Sequence, residues 1–173
     1  TLVDVFPHVE VYQPGGAMGV LFAASGEPLA SLEGARQTLQ NAPEDYARFG
    51  IQRVEDFAVA RVFDDLGTRA LAEGAALNTD DHNLLASRSS RLGDAVPRRG
   101  SFRMLWKDRD PLLTGLDGLD RSALIRRLVG TNSTQRATAL ARSEDEALEE
   151  TGLGWIELGL ARPKRAARHF TRA

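Results

Sequence analysis

Residues 5–25 read VFPHVEVYQPGGAMGVLFAAS and carry the strongest structural signal in the chain. Two apolar runs rich in β-branched residues, at positions 9–13 and 19–25, flank a Pro-Gly-Gly turn, and this pattern predicts an antiparallel β-hairpin. A hairpin of two strands is only marginally stable in water, and the rest of the sequence offers no comparable strand. We therefore expect the hairpin to complete a larger sheet and interpret the chain as a fragment of a longer protein.

Composition predicts a folded protein and excludes several classes of site. The chain has 173 residues, of which 42% are apolar, and this is enough for a hydrophobic core. It has no cysteine, so disulfides, thiol nucleophiles and thiolate zinc sites are excluded, and the composition fits a reducing compartment. No apolar run approaches the roughly 18 residues of a membrane helix. We expect a cytoplasmic location and no membrane segment in this chain.

Charge is distributed unevenly along the sequence. Residues 1–92 carry 13 acidic and 7 basic side chains, whereas residues 93–173 carry 11 and 15, which gives net charges of −6 and +4. This change of sign is consistent with two structural units. Five cations crowd residues 162–172, but acidic residues are interspersed upstream and helix C-termini favour cations. We therefore predict no nucleic-acid partner and interpret the cationic stretch as a solvated helical face.

Helical patterns dominate after the hairpin. In the first half, Ser31 caps a helix at residues 32–40 and Pro43 starts a shorter one. Residues 54–63 are ambiguous but suit a helix that Gly67 would end, and residues 68–73 add another turn or two. The second half is predicted to be all helical, with helices at residues 121–129, 134–141, 145–160 and 163–173. Residues 88–101 contain Arg, Ser, Gly and Pro and few apolar side chains, so we predict a linker at residues 93–118 between units at residues 1–92 and 119–173.

The order of these motifs resembles the C-terminal end of the spermidine synthase family, the polyamine aminopropyltransferases. The resemblance covers residues 1 to about 92 and rests on the Val-Phe-Pro-His-Val start, the Pro-Gly-Gly turn, the strand ending in Ala-Ala-Ser, and Leu77-Asn78-Thr79-Asp80-Asp81 followed by Leu84-Leu85. It implies an α/β fold with a Rossmann-like, methyltransferase-type sheet. The hairpin would supply the last two strands of that sheet, one of them antiparallel to the others.

The resemblance also implies an activity that this chain cannot perform alone. Family members transfer an aminopropyl group from decarboxylated S-adenosylmethionine to an amine, using a glycine-rich loop for the co-substrate and an aspartate as the base. Residues 15–19 are glycine-rich but join two strands, so they present no helix N-terminus to a cofactor. We assign no catalytic or cofactor-binding residue here and expect the fragment to be inactive. Fusions in this family can carry an N-terminal membrane segment, which allows a membrane-tethered parent.

Two residues are candidates for substrate binding. In the family, the loop between the last two strands borders the amine pocket, so the resemblance points to Tyr12 and Gln13 at the end of the first strand. A phenol and an amide can orient an ammonium group or line its methylene chain. The alternative is that both residues simply pack at the end of a strand.

Other polar residues fit structural roles better. Residues 78–82, Asn-Thr-Asp-Asp-His, lack the spacing of a calcium loop or a zinc helix and are predicted to fold a tight turn, so we assign no metal site. His8 and His169 have no partners for a catalytic triad, because the chain contains no G-x-S-x-G motif.

A second resemblance lies at the C-terminus. From about residue 147, the motifs Leu153-Gly154-Trp155, Leu160-Ala161-Arg162-Pro163, Ala166-Ala167 and Phe170 resemble a tetratricopeptide repeat. Phe170 would fill the space between this repeat and the next. One repeat cannot bury its own apolar face, so either more repeats follow or the helix pair at residues 121–141 is its neighbour. The resemblance implies a protein partner, and an ordinary helical hairpin is the alternative.

Two functions remain open from the sequence. In the first, the chain finishes the sheet of an aminopropyltransferase and the helical tail is an appended module. In the second, the chain is a non-catalytic helical-repeat scaffold that binds another protein.

Overall fold

The computed structural model describes residues 2–14, 20–28, 31–75, 77, 110–113 and 117–173. Within these ranges the fold is mixed α/β, with one small antiparallel sheet and nine α-helices. The strands are β1 (His8–Tyr12), β2 (Leu21–Ser25) and β3 (Arg61–Phe63). The helices are α1 (Leu2–Val5), α2 (Leu32–Asn41), α3 (Pro43–Ala47), α4 (Val54–Ala60), α5 (Asp65–Ala72), α6 (Arg121–Gly130), α7 (Thr134–Ala141), α8 (Glu146–Gly159) and α9 (Pro163–Arg172), with a 3₁₀ helix at Pro111–Leu113. In the part of the chain that is described, every helix is too short or too polar to cross a bilayer.

The predicted hairpin is confirmed. Strands β1 and β2 pair antiparallel over their full length, from His8 opposite Ser25 to Tyr12 opposite Leu21. Strand β1 is central, because β3 pairs antiparallel with its other edge, where Val11 lies opposite Phe63 and Tyr12 opposite Arg61. Alternation along β1 places Val9 and Val11 on one face, where both are fully buried.

A short third strand, β3, joins the predicted hairpin. The sequence offers no strand comparable to the hairpin, but the helical interpretation of residues 61–63 is wrong, because they leave α4 and join the sheet. The prediction that Gly67 ends a helix is also wrong, since Gly67 lies in the first turn of α5 and its N–H donates to the Asp64 cap at 2.8 Å. A Cβ at Gly67 would lie 3.1 Å from the Phe63 ring, so a glycine lets α5 pack closely against β3.

Local signals explain where most helices begin. The Ser31 hydroxyl accepts a hydrogen bond from the Gly34 N–H at 2.9 Å, as predicted, and Pro43 starts α3. Asp120 and Asp145 cap α6 and α8 by accepting from backbone N–H groups of the first turn. The four helices of the second half match their predicted bounds to within one residue.

The second half forms two helical hairpins that share one core. Leu124, Ile125 and Leu128 of α6 pack with Leu140 of α7 and Ile156 of α8. The same core includes Val59 of α4 and Leu112 of the 3₁₀ helix. Asp110 and Leu112 lie within the predicted linker and are buried. The division into units at residues 1–92 and 119–173 stays a prediction. The core contains Val59 from the first predicted unit together with helices of the second.

The two hairpins turn in the same way. Each turn contains one residue with positive φ, Asn132 at 59° and Ala161 at 57°. The following N–H then reaches back into the preceding helix, from Ser133 to the Leu128 carbonyl at 2.7 Å and from Arg162 to the Glu157 carbonyl at 2.9 Å. These are the bonds of a Schellman motif, which closes a helix by satisfying its last carbonyls. The second hairpin therefore repeats the turn of the first.

Glycines set the close approach of α8 to its neighbours. A Cβ built on Gly152 would lie 2.8 Å from the Ala141 Cβ, and one on Gly154 would lie 2.5 Å from the Phe170 ring. The Phe170 ring also meets Trp155 edge to face, with centroids 5.2 Å apart. In the structure the Phe170 ring packs on its own hairpin, where Gly154 leaves room for it, and 39% of the residue is exposed. Its predicted contact with a following repeat stays a prediction.

Buried Arg136 and half-buried Arg127 fasten the helical hairpins to the first half of the chain. Arg136 of α7 forms a bidentate ion pair with Asp110, at 2.6 and 2.8 Å. It also donates to the Val59 carbonyl at 2.8 Å and to the Arg61 carbonyl at 3.0 Å. Arg127 of α6 pairs with Asp56 of α4 at 2.9 Å. These two arginines of the basic half therefore have structural roles, because they connect α6 and α7 to elements of the first half.

Candidate functional site

The structure places the two predicted substrate-binding residues differently. Tyr12 is the last residue of β1, and its side chain is half-buried against the sheet. Gln13 follows the strand and is exposed, while its backbone N–H donates to the Ala60 carbonyl at 2.7 Å. The backbone of Gln13 therefore extends the contact between β1 and the α4–β3 junction, and its amide group is open to solvent.

Tyr12 belongs to a three-residue cluster on the polar face of the sheet. Its hydroxyl donates to the Glu10 carboxylate at 2.5 Å, and Arg61 donates to the other Glu10 oxygen. Glu10 and Tyr12 share a face because they are two residues apart in β1, and Arg61 lies opposite Tyr12 in β3. Glu10 is only 5% exposed, so its charge is buried but compensated by Arg61 and by the phenol.

Burial raises the pKa of Tyr12 well above its usual value, and the adjacent Glu10 carboxylate raises it further by accepting the phenol proton and by its charge. The Arg61 guanidinium opposes this shift without cancelling it. The phenol therefore stays neutral and cannot serve as a base at physiological pH. Because the hydroxyl proton of Tyr12 is donated to Glu10, the lone pairs of the phenol oxygen can accept a hydrogen bond from an ammonium group.

The Tyr12 shift predicts an alkaline titration. Because the pKa of Tyr12 is raised, the folded state keeps the phenol proton above the usual tyrosine pKa of about 10, where the unfolded state loses it. The neutral phenol therefore contributes fully to the free energy of unfolding below about pH 10, and this contribution is lost as the pH rises further. Phenolate absorbs at 295 nm, and the rise of this absorbance with pH should be the same for the native chain and for Tyr12→Phe up to about pH 11. Additional phenolate in the unsubstituted chain below that pH would contradict the buried, hydrogen-bonded phenol.

Sequence reasoning missed Glu10 and Arg61. A signal for Glu10 was present, because an acidic residue between Val9 and Val11 in a central strand needs a partner. Arg61 gave no such signal, since residues 54–63 fit a helical pattern. Within the described residues, the buried Nε of Arg61 has no hydrogen-bond partner, so this arginine retains one donor beside Glu10.

The structure assigns no binding role to the glycine-rich loop, the polar turn, His8 or His169. Loop residues 15–19 and the predicted turn at residues 78–82 lie outside the described residues. Among the residues that are described, no group of three or more metal-ligating side chains occurs. His8 approaches Asp65 at 3.8 Å, and His169 of α9 bonds Glu150 of α8 at 2.7 Å, so both histidines have structural partners.

Comparison of the chain with protein-family models, with curated proteins and with solved structures gives no match.

Proposed function

We propose that this chain is the C-terminal part of a spermidine synthase-like protein. Its hairpin supplies the last strands of a Rossmann-like sheet, and the parent transfers an aminopropyl group from decarboxylated S-adenosylmethionine to an amine in the cytoplasm. Residues beyond this chain bind the co-substrate and provide the catalytic base. The resemblance in motif order supports this proposal, and the edge of the sheet supplies an independent argument.

The outer edge of β2 carries that argument. Within the described residues no strand pairs with this edge, and Leu21 and Phe22 are 60% and 59% exposed. An unpaired edge that displays large apolar side chains is a liability for aggregation, and proteins normally cover, charge or shorten it. Neither a charge nor a proline protects β2, whose sequence is LFAAS. A further strand of a larger sheet would pair with this edge, and its side chains would flank Phe22 on the face that Phe22 shares with buried Val11.

Tyr12 and Gln13 would face the amine substrate in this assembly. The Tyr12 oxygen offers a hydrogen-bond acceptor whose direction is fixed by Glu10, and the exposed Gln13 amide offers both an acceptor and donors. The Glu10–Arg61 pair neutralises itself, so it adds little net charge to attract an ammonium group. Tyr12 would therefore orient the amine rather than supply most of its binding energy.

Replacing Phe22 by glutamate tests the proposed extension of the sheet. In this chain Phe22 is exposed, so Phe22→Glu should change the free energy of unfolding by less than about 0.5 kcal/mol. In the full-length parent the same change would place a carboxylate among the apolar side chains of the sheet face that carries Val11, and it should cost more than about 2 kcal/mol. The measurement is chemical denaturation of both proteins, each with and without the substitution.

Phe49→Glu is the matched control, because Phe49 is 66% exposed and lies outside the sheet. It should be nearly neutral in both proteins. Equal, small effects of Phe22→Glu in the chain and in the parent would remove the argument from the sheet edge.

We propose a second candidate function for the helical segment, as a tetratricopeptide-like module that binds another protein. The repeated turn geometry and the packing of α8 against both α6 and α7 favour this candidate. In such arrays each hairpin buries its apolar face against the next one, and the stacked helices form a binding surface. In this chain α6 and α7 act as the neighbour that the last hairpin needs, through the contact of Gly152 with Ala141.

A further inference from the structure

Helix α9 presents a continuous cationic face to solvent. Lys164, Arg168 and Arg172 recur at every fourth residue, and Arg165 lies beside them. All four side chains are exposed, and the helix contains no acidic residue. Residues spaced by three or four lie on the same side of a helix, so these cations form one stripe with a repeat of about 6 Å along the axis.

This stripe is poorly compensated within the chain. Arg172 approaches Glu150 only at 3.9 Å, across the hairpin. In the described part of the chain, no ion pair reaches Lys164, Arg165 or Arg168. Three other arginines of the helical segment differ from the stripe, because Arg121, Arg127 and Arg136 bind carbonyls or carboxylates of neighbouring elements.

The stripe also opposes the local electrostatics of its helix. Lys164 and Arg165 lie in the first turn of α9, where the helix dipole concentrates partial positive charge and favours anions. Cations at this end weaken the isolated helix. Residues that oppose the helix dipole and have no compensating partner within the fold are candidates for function, because a bound ligand can supply the missing negative charge.

We propose that this face of α9 binds an acidic segment of a partner protein, with carboxylates repeated along one side of a helix. Such a segment would pair with the cations at matching spacing and place negative charge at the helix N-terminus. The proposal rests on the interaction role of the helical segment and is independent of aminopropyl transfer.

The surroundings of the stripe favour an acidic protein over a membrane or a nucleic acid. The apolar side of α9 is already used, because Ala166 is buried and the Phe170 ring packs on Gly154 and Trp155. A helix that binds a bilayer must insert its apolar face, and in α9 that face packs on α8, with 39% of Phe170 left exposed. Binding of single-stranded nucleic acid draws on aromatic rings free to stack with bases, and Phe170 is engaged in the hairpin.

Fluorescence anisotropy of a labelled peptide tests the proposal on the full chain. The probe is a short helical peptide of alanine with glutamate at every fourth position, and the same peptide with glutamine is the uncharged comparison. We expect saturable binding of the glutamate peptide that weakens with added salt, and binding at least about tenfold weaker for Lys164→Glu combined with Arg168→Glu. The pair Lys164→Gln and Arg168→Gln should give a smaller loss.

The control variant combines Arg48→Glu with Arg142→Glu, which changes the net charge equally at exposed positions outside α9. It should bind the peptide as the unsubstituted chain does. An equal loss in this control would show nonspecific attraction and overturn the proposal, as would the absence of binding. Tighter, α9-dependent binding to an oligouridine RNA or to vesicles of phosphatidylcholine with phosphatidylserine would also overturn it in favour of those partners. Melting curves of all variants verify that they fold.

Discussion

Replacing Arg136 by methionine is expected to destabilise the chain by about 3–5 kcal/mol. The side chain is 5% exposed and neutralises the buried Asp110 carboxylate, so its removal leaves that carboxylate without this counter-ion and with the hydrogen bond from the Leu112 N–H. It also removes the donors to the Val59 and Arg61 carbonyls, which hold α4 and β3 against α7. Urea denaturation followed by circular dichroism measures the loss.

Two further variants define the cause. Arg142→Met removes an exposed arginine next to the same helix and should change the free energy of unfolding by less than about 0.5 kcal/mol. Arg136→Lys keeps the charge but loses the bidentate geometry, so its cost should lie between those of the other two. If Arg136→Met were as mild as Arg142→Met, the clamp between the sheet and the helical hairpins would be absent in solution.

Gly152→Ala is expected to destabilise the chain by about 1–3 kcal/mol through overpacking. The added methyl group would lie 2.8 Å from the Ala141 Cβ, 3.1 Å from the Ala141 Cα and 3.1 Å from the Ile125 side chain. Because Ala141 contributes backbone as well as side chain to this contact, α7 and α8 must separate. The loss is measured as a fall in melting temperature. Because Gly152 contacts Ala141, this fall reports on the packing of the second hairpin against the first.

Gly130→Ala is the matched control for this substitution. Gly130 ends α6, and a Cβ there would meet nothing within 4 Å. Alanine should be neutral or stabilise the helix by up to about 1 kcal/mol, because it restricts the unfolded chain and favours helix. If both substitutions stabilised the protein, the two hairpins would not be stacked as described.

Periodicity in the sequence was sufficient for most of the fold. The two strands of the hairpin and the helices from residue 121 onward have clear apolar patterns, Asp120 and Asp145 cap two of those helices, and the structure confirms these elements. Strand β3 could not be found this way, since three residues are too few to show a period of two after a helix. The Arg136–Asp110 ion pair also escaped prediction, because its partners are distant in sequence and Asp110 lies in the predicted linker.

The candidate site was predictable only in part. Tyr12 and Gln13 came from a resemblance, and their role in binding an amine stays a prediction. The alternation of β1 shows that Glu10 shares a face with Tyr12, and a buried acidic residue there demands a partner. Arg61 could be identified as that partner only once β3 was seen to pair with β1, because the contact depends on the register between strands.

Transfer of an aminopropyl group by the full-length parent tests the central claim most directly. Putrescine and decarboxylated S-adenosylmethionine are incubated with the parent and, separately, with this 173-residue chain, and spermidine is followed by mass spectrometry. We predict product from the parent and none from the chain. No product from either protein would contradict the assignment to an aminopropyltransferase, and product from the chain alone would show that the active site lies within these residues.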